Sequence, residues 1–114
     1  MKRTYEDSLR DILTAAELAL QFVEGLEFED FRDNVEKQYA VTRAFEVIGE
    51  AARNVPAEIR AMYPQLPWSE MIGMRNVLIH DYVGVDEAVI WRTIQEDLPS
   101  LCESVRGILA EFTG

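Results

Sequence analysis

Residues 90–112, IWRTIQEDLPSLCESVRGILAEF, carry the pattern that decides the fold. Apolar side chains recur there at successive intervals of 4, 4, 3, 4, 3 and 4 positions, the period of an α-helix with one face in a core. The positions are Ile90, Ile94, Leu98, Leu101, Val105, Ile108 and Phe112. We therefore predict one long helix, and we expect Pro99 to kink it, because proline removes a backbone N–H and crowds the preceding turn.

The same helical period extends over most of the chain. A first helix is predicted to end near Gly25, a second to stop before Pro56, and residues 57–63 to form only a short helix. The apolar positions of the two long helices are Leu9, Ile12, Leu13, Ala16, Leu20 and Val23, then Val41, Phe45, Ile48, Ala52 and Val55. No alternating strand pattern or internal repeat occurs. The sequence predicts a single all-α domain over residues 1–114, an up-and-down helical bundle of four to five helices.

Composition narrows the class of protein. A chain of 114 residues with 48% hydrophobic residues can bury one core. Its formal net charge of −10 argues against non-specific coating of nucleic acid, which needs many Lys and Arg, but permits a small site for one or two phosphates. The lone Cys102 favours a reduced, cytoplasmic compartment. No apolar run suits a signal peptide or the about 18 residues of a membrane span.

The block RNVLIHDY, residues 75–82, is the best candidate for chemistry. It contains the only histidine of the chain, His80. An imidazole, with an unperturbed pKa of about 6.5, can transfer protons in either direction near neutral pH. The guanidinium of Arg75 is well shaped to bind a phosphate. Together with Tyr82 close by, these side chains indicate phosphoester chemistry.

Helical geometry constrains how this block can work. A helix opening at Trp68 is apolar over most of its circumference, and its polar arc must face a cleft or a second subunit. Asn76 and His80 lie one turn apart on that arc. Arg75 and His80 lie about 140° apart, so they do not share a face. Arg75 could curl around the helix, the helix could unwind near His80, or a two-fold partner could complete the site.

The block is similar to the Arg-x4-His-x-Tyr signature of HepT-like toxins, minimal members of the HEPN superfamily of helical ribonucleases. The surrounding sequence resembles this family too, in the same order and over roughly two thirds of the chain. The similar stretches are residues 48–52 (IGEAA), 67–68 (PW), 72–76 (IGMRN), 80–82 (HDY) and 97–99 (DLP). Arg-x4-His alone is a weak signal, but inside an all-helical frame the extended block is specific.

The resemblance implies a metal-independent endoribonuclease toxin without a cofactor, which activates the ribose 2′-hydroxyl of RNA and is not expected to act on DNA. Arg75 would stabilise the phosphorane, His80 would act as general base or acid, and Asn76 would bind substrate or orient His80. In this family the site forms at a homodimer cleft. A partner nucleotidyltransferase antitoxin would transfer AMP to Tyr82 and block the site.

The same residues can also be explained by structural roles without any catalytic function. A lone histidine on a buried helix is often a satisfied core residue. Arg75 could form an ion pair with Glu46 or Glu50, and Glu50 could instead enter the cleft. Tyr82 could be a core aromatic whose hydroxyl reaches solvent. Two functional alternatives also remain: a non-catalytic HEPN module that binds a nucleotide or RNA, and a structural helical partner of a nucleotidyltransferase.

Overall fold

The structure, a computed structural model, describes residues 4–80 and 86–113, without the side chains of residues 76–80 and 113. Within these ranges the chain forms helices and no strand, which confirms the predicted all-α class. No helix in them is long and apolar enough to cross a membrane. The elements are α1 (Tyr5–Phe22), α2 (Phe28–Arg32), α3 (Val35–Asn54), α4 (Ala57–Met62), α5 (Trp68–His80), α6 (Glu87–Arg92), a π segment (Thr93–Asp97) and α7 (Leu98–Thr113).

Local signals in the sequence set the ends of these helices. The side chain of Asn34 caps α3 by accepting a hydrogen bond from the backbone N–H of Lys37 at 3.0 Å. Asp86 caps α6 in the same way, accepting from the N–H of Ala88 at 3.0 Å. Gly25 follows α1 with φ +81, a left-handed conformation that glycine adopts without steric cost. The helix ends that the sequence predicts near Gly25 and before residue 56 are therefore confirmed.

The core lies between α1, α3, α5 and α7. Most of the predicted apolar positions are buried, and those with no exposed surface are Leu9, Ile12, Ala16, Val41, Ile48, Ala52, Ile94, Leu98 and Val105. Phe112 departs from its predicted core position, because it lies at the end of α7 with 37% of its surface exposed. It packs edge-on against Tyr5 at a ring distance of 5.5 Å. Cys102 is buried, and burial raises the pKa of its thiol.

The turn directly before Pro99 is a π turn, and the predicted kink at this residue stays a prediction. The backbone N–H of Leu98 donates to the carbonyl of Thr93, five residues earlier. Pro99 has no N–H to offer Gln95, and in a regular α-helix its ring would crowd the carbonyl of that residue. A π turn directly before the proline lets the chain continue as α7 without that contact. Helices α6 and α7 thus join through the π segment.

Candidate active site

Helices α3 and α5 approach each other closely at Gly49. A Cβ atom at this position would lie 2.7 Å from the Cβ of Arg75, 2.9 Å from its backbone N and 3.1 Å from the carbonyl O of Met71. Real Cβ atoms do not come so close to backbone atoms, so a larger residue would push the helices apart. Glycine at position 49 therefore permits the close packing of α3 on α5.

This close approach places Arg75 beside Glu50. The Nη1 atom of Arg75 lies 3.2 Å from Oε2 of Glu50, and the two side chains are 34% and 51% exposed. Of the two ion pairs considered from the sequence, the one with Glu50 is present, whereas Glu46 lies 3.4 Å from Arg43. An ion pair this exposed contributes at most about 1 kcal/mol to stability. The guanidinium therefore stays accessible to solvent and to a ligand.

The structure describes the predicted site residues to different extents. Arg75 is described in full. Asn76 and His80 belong to α5, and their side chains lie outside the described residues, as does the whole of Tyr82. Helix α5 is regular up to His80, so Arg75 and His80 are separated by about 7.5 Å along the axis and by about 140° around it. The roles of Arg75, Asn76, His80 and Tyr82 stay predictions.

The cavities lined by α5 are poorly suited to phosphate. A cavity of about 370 Å³ lies between α3, α5 and α6, with apolar walls from Phe45, Met74 and Val89. Glu70 and Asp97 also line it, and both border a neighbouring cavity of about 300 Å³. Two carboxylates beside apolar walls repel a phosphate rather than bind it. A phosphate is therefore not expected in these cavities.

Glu50 is the residue of this site to which the sequence assigned no definite role. Glu46 and Glu50 are four residues apart on one predicted helix, so the sequence could not decide which of them pairs with Arg75. The available signal was the neighbouring Gly49, because a glycine inside a helix marks a place where another backbone comes close. Among the side chains that the structure describes, which do not include that of His80, no three from His, Cys, Asp or Glu form a group that could hold a metal ion.

Sequence comparison relates this site to known proteins. The profile of a family described as "Ribonuclease HepT-like" matches residues 12–108. The chain belongs to the HepT-like ribonuclease family. The resemblance seen in residues 75–82 and their surroundings is thereby confirmed at the level of the family.

Relatives of this HepT-like chain cover nearly its full length. "Probable ribonuclease HepT" of Thermococcus cleftensis is 48% identical over 101 residues, covering 89% of this chain and 92% of the relative. A Methanocaldococcus jannaschii protein named as a candidate RNase is 39% identical over 104 residues, covering 91% and 95%. Another, from Caldanaerobacter subterraneus, is 40% identical over 107 residues, covering 94% and 96%. No solved structure matches the chain.

A Gly49→Ala substitution tests the close approach of α3 and α5. The added methyl group must displace the backbone of Arg75, and overpacking of this kind costs about 1–3 kcal/mol. We expect the free energy of unfolding, measured by urea denaturation, to fall by that amount. The control is Gly107→Ala in α7, where a Cβ meets nothing within 4 Å. Alanine there should raise stability by about 0.5–1 kcal/mol, and a similar gain at Gly49 would contradict the packing.

Proposed function

We propose that this HepT-like chain is a metal-independent endoribonuclease that uses Arg75 and His80 on an RNA phosphodiester. The observation that carries the proposal is the guanidinium of Arg75, which lies beside Glu50 on a side chain that is one-third exposed, where α5 packs closely on α3 at Gly49. The names of the relatives, which refer to ribonucleases, support the same chemistry. A guanidinium so placed can donate several hydrogen bonds to one phosphate.

The proposed reaction is an internal transesterification. The ribose 2′-oxygen loses its proton and attacks phosphorus, and the 5′-oxygen leaves with a proton. The products are a 2′,3′-cyclic phosphate and a 5′-hydroxyl end. Arg75 donates to the non-bridging oxygens, where negative charge grows in the transition state. His80 moves a proton, and Asn76 binds substrate or orients His80.

We place the complete site at a two-fold homodimer cleft. Arg75 and His80 of one chain lie on different faces of α5, so a second copy can bring a further Arg75 and His80 to the same phosphate. Sedimentation at micromolar concentration should give about 26 kDa, twice the 13.1 kDa of one chain. A stable monomer under these conditions would remove the shared cleft.

Alanine substitutions test the catalytic assignments. We expect His80→Ala to abolish RNA cleavage and Arg75→Ala to cost about 2–4 kcal/mol of transition-state stabilisation, with helicity retained in both. The matched control is Arg43→Ala, an exposed arginine on α3 that pairs with Glu46 and should leave activity unchanged. A labelled RNA oligonucleotide reports cleavage, with and without a chelator, which should have no effect.

Two outcomes of this assay count against the proposed mechanism. Undiminished cleavage by His80→Ala would remove its proton-transfer role. Inhibition by chelator that only added divalent metal reverses would require a different mechanism. If the wild-type protein binds RNA without cutting it, the non-catalytic HEPN module becomes the better description.

We further propose that the chain is the toxin of a type VII-like toxin–antitoxin system, with a cognate nucleotidyltransferase as antitoxin. AMP transferred to Tyr82 would carry a phosphate that Arg75 binds in place of RNA, as a tethered inhibitor of high effective concentration. Bulk and negative charge at the cleft would then silence cleavage.

Co-expression with the nucleotidyltransferase tests this control. Intact mass spectrometry should show one or more added AMP units on the wild-type protein, and its cleavage activity should be lost. Tyr82→Phe should retain activity and escape the modification, because it lacks the accepting hydroxyl. Equal labelling of Tyr82→Phe and the wild-type protein would exclude Tyr82 as the acceptor and leave the ribonuclease assignment intact.

A further inference from the structure

We infer that Glu50 is the general base of this reaction, taking the proton of the ribose 2′-hydroxyl while His80 protonates the departing 5′-oxygen. The inference rests on the proposed ribonuclease function. It assigns Glu50 to direct contact with the substrate, beyond its ion pair with Arg75. No metal or further reactant is required, because the proton leaving the 2′-oxygen goes to the carboxylate and the 5′-oxygen receives one from the imidazolium.

The chemistry calls for two proton-transfer groups. In an in-line displacement the attacking and leaving oxygens lie on opposite sides of phosphorus, so one imidazole cannot serve both in a single transition state. Each chain has one histidine. In the proposed homodimer one His80 can serve one of the two oxygens, and Glu50, next to the phosphate-binding guanidinium, can serve the other.

Glu50 has the position for this role. Its carboxylate lies 3.2 Å from Nη1 of Arg75, so a phosphate bound to the same guanidinium would place its ribose within a few ångströms. Half of the Glu50 side chain is exposed, which leaves the carboxylate accessible to a hydroxyl group. The guanidinium has a second edge, formed by Nε and Nη2, whose two donors match a phosphate. Arg75 can thus contact Glu50 and substrate at once.

Transfer of the proton to Glu50 also removes a repulsion. Once protonated, the carboxyl group is neutral and no longer repels the negative charge that builds on the phosphorane beside it.

Neighbouring carboxylates fit this role less well. Glu46 lies one turn earlier on α3 but its carboxylate is 3.4 Å from Arg43. Glu70 and Asp97 border the apolar cavities on α5 and the π segment. Among the residues that the structure describes, Glu50 is the carboxylate paired with Arg75. Gly49 fixes this pair, because it sets the distance between the backbones of α3 and α5.

The test compares Glu50→Gln, which cannot take a proton, with Glu50→Asp, which can, and with Glu46→Gln as matched control. The kcat and KM of the full-length proteins are measured across pH on one labelled RNA oligonucleotide. We expect Glu50→Gln to lower kcat by about 10²–10⁴-fold, the usual contribution of a general base, with little change in KM. In Glu50→Gln, the plot of kcat against pH should lose its rise on the acidic side, because that rise reflects deprotonation of the general base. Glu50→Asp should keep that rise at a lower rate, and Glu46→Gln should match the wild type.

Each other outcome decides against the inference. Wild-type kcat in Glu50→Gln would exclude Glu50 from proton transfer. A lowered kcat with the acidic limb unchanged would reduce Glu50 to a residue that positions Arg75. If Glu50→Gln does not fold, as circular dichroism would show, loss of the acidic limb in Glu50→Asp alone would contradict the inference. Absence of cleavage by the wild-type protein itself would instead overturn the proposed function, and the assignment of Glu50 with it.

Discussion

The contact of α3 with α5 at Gly49 is the constraint on which the site depends. A Cβ atom on residue 49 would lie only 2.9 Å from the backbone N of Arg75, so α3 and α5 are closer here than a side chain at this position would allow. This distance decides which side chains of the two helices can meet. Arg75 reaches Glu50 rather than Glu46 because the register of the two helices is fixed there. A feature of packing, with no functional group of its own, therefore sets the geometry of the charged pair.

The position of the Arg75–Glu50 ion pair matters more for the candidate site than its small contribution to stability. At the exposure of Arg75 and Glu50, water screens most of their attraction, so the pair adds little to folding. Its consequence is positional, because it places a guanidinium next to Glu50 at the surface of a strongly acidic chain. Since the formal net charge is −10, most of this surface repels an RNA backbone, and Arg75 is the positive group to which we propose that RNA binds.

Much of the fold could be predicted from the sequence because its determinants are local. The helical period of the apolar residues, the helix end near Gly25 and the stop at Pro56 each act within a few residues. The exposure of Phe112 could not be predicted in this way, because it depends on how little of the protein packs against the end of α7. The partner of Arg75 depended likewise on the register between two helices. The assignments of His80 and Tyr82 stand on the motif alone.

The π segment also restricts where residues can be inserted into or deleted from the chain. A π turn amounts to one residue added to an α-helix, held within the helix instead of in a loop. Loss of one residue from this segment would rotate everything after it by about 100° relative to α6 and turn the buried face of α7 away from α1. Connecting loops tolerate insertions and deletions. In the π segment they would change the rotation of α7 relative to α6, so we expect them to be excluded.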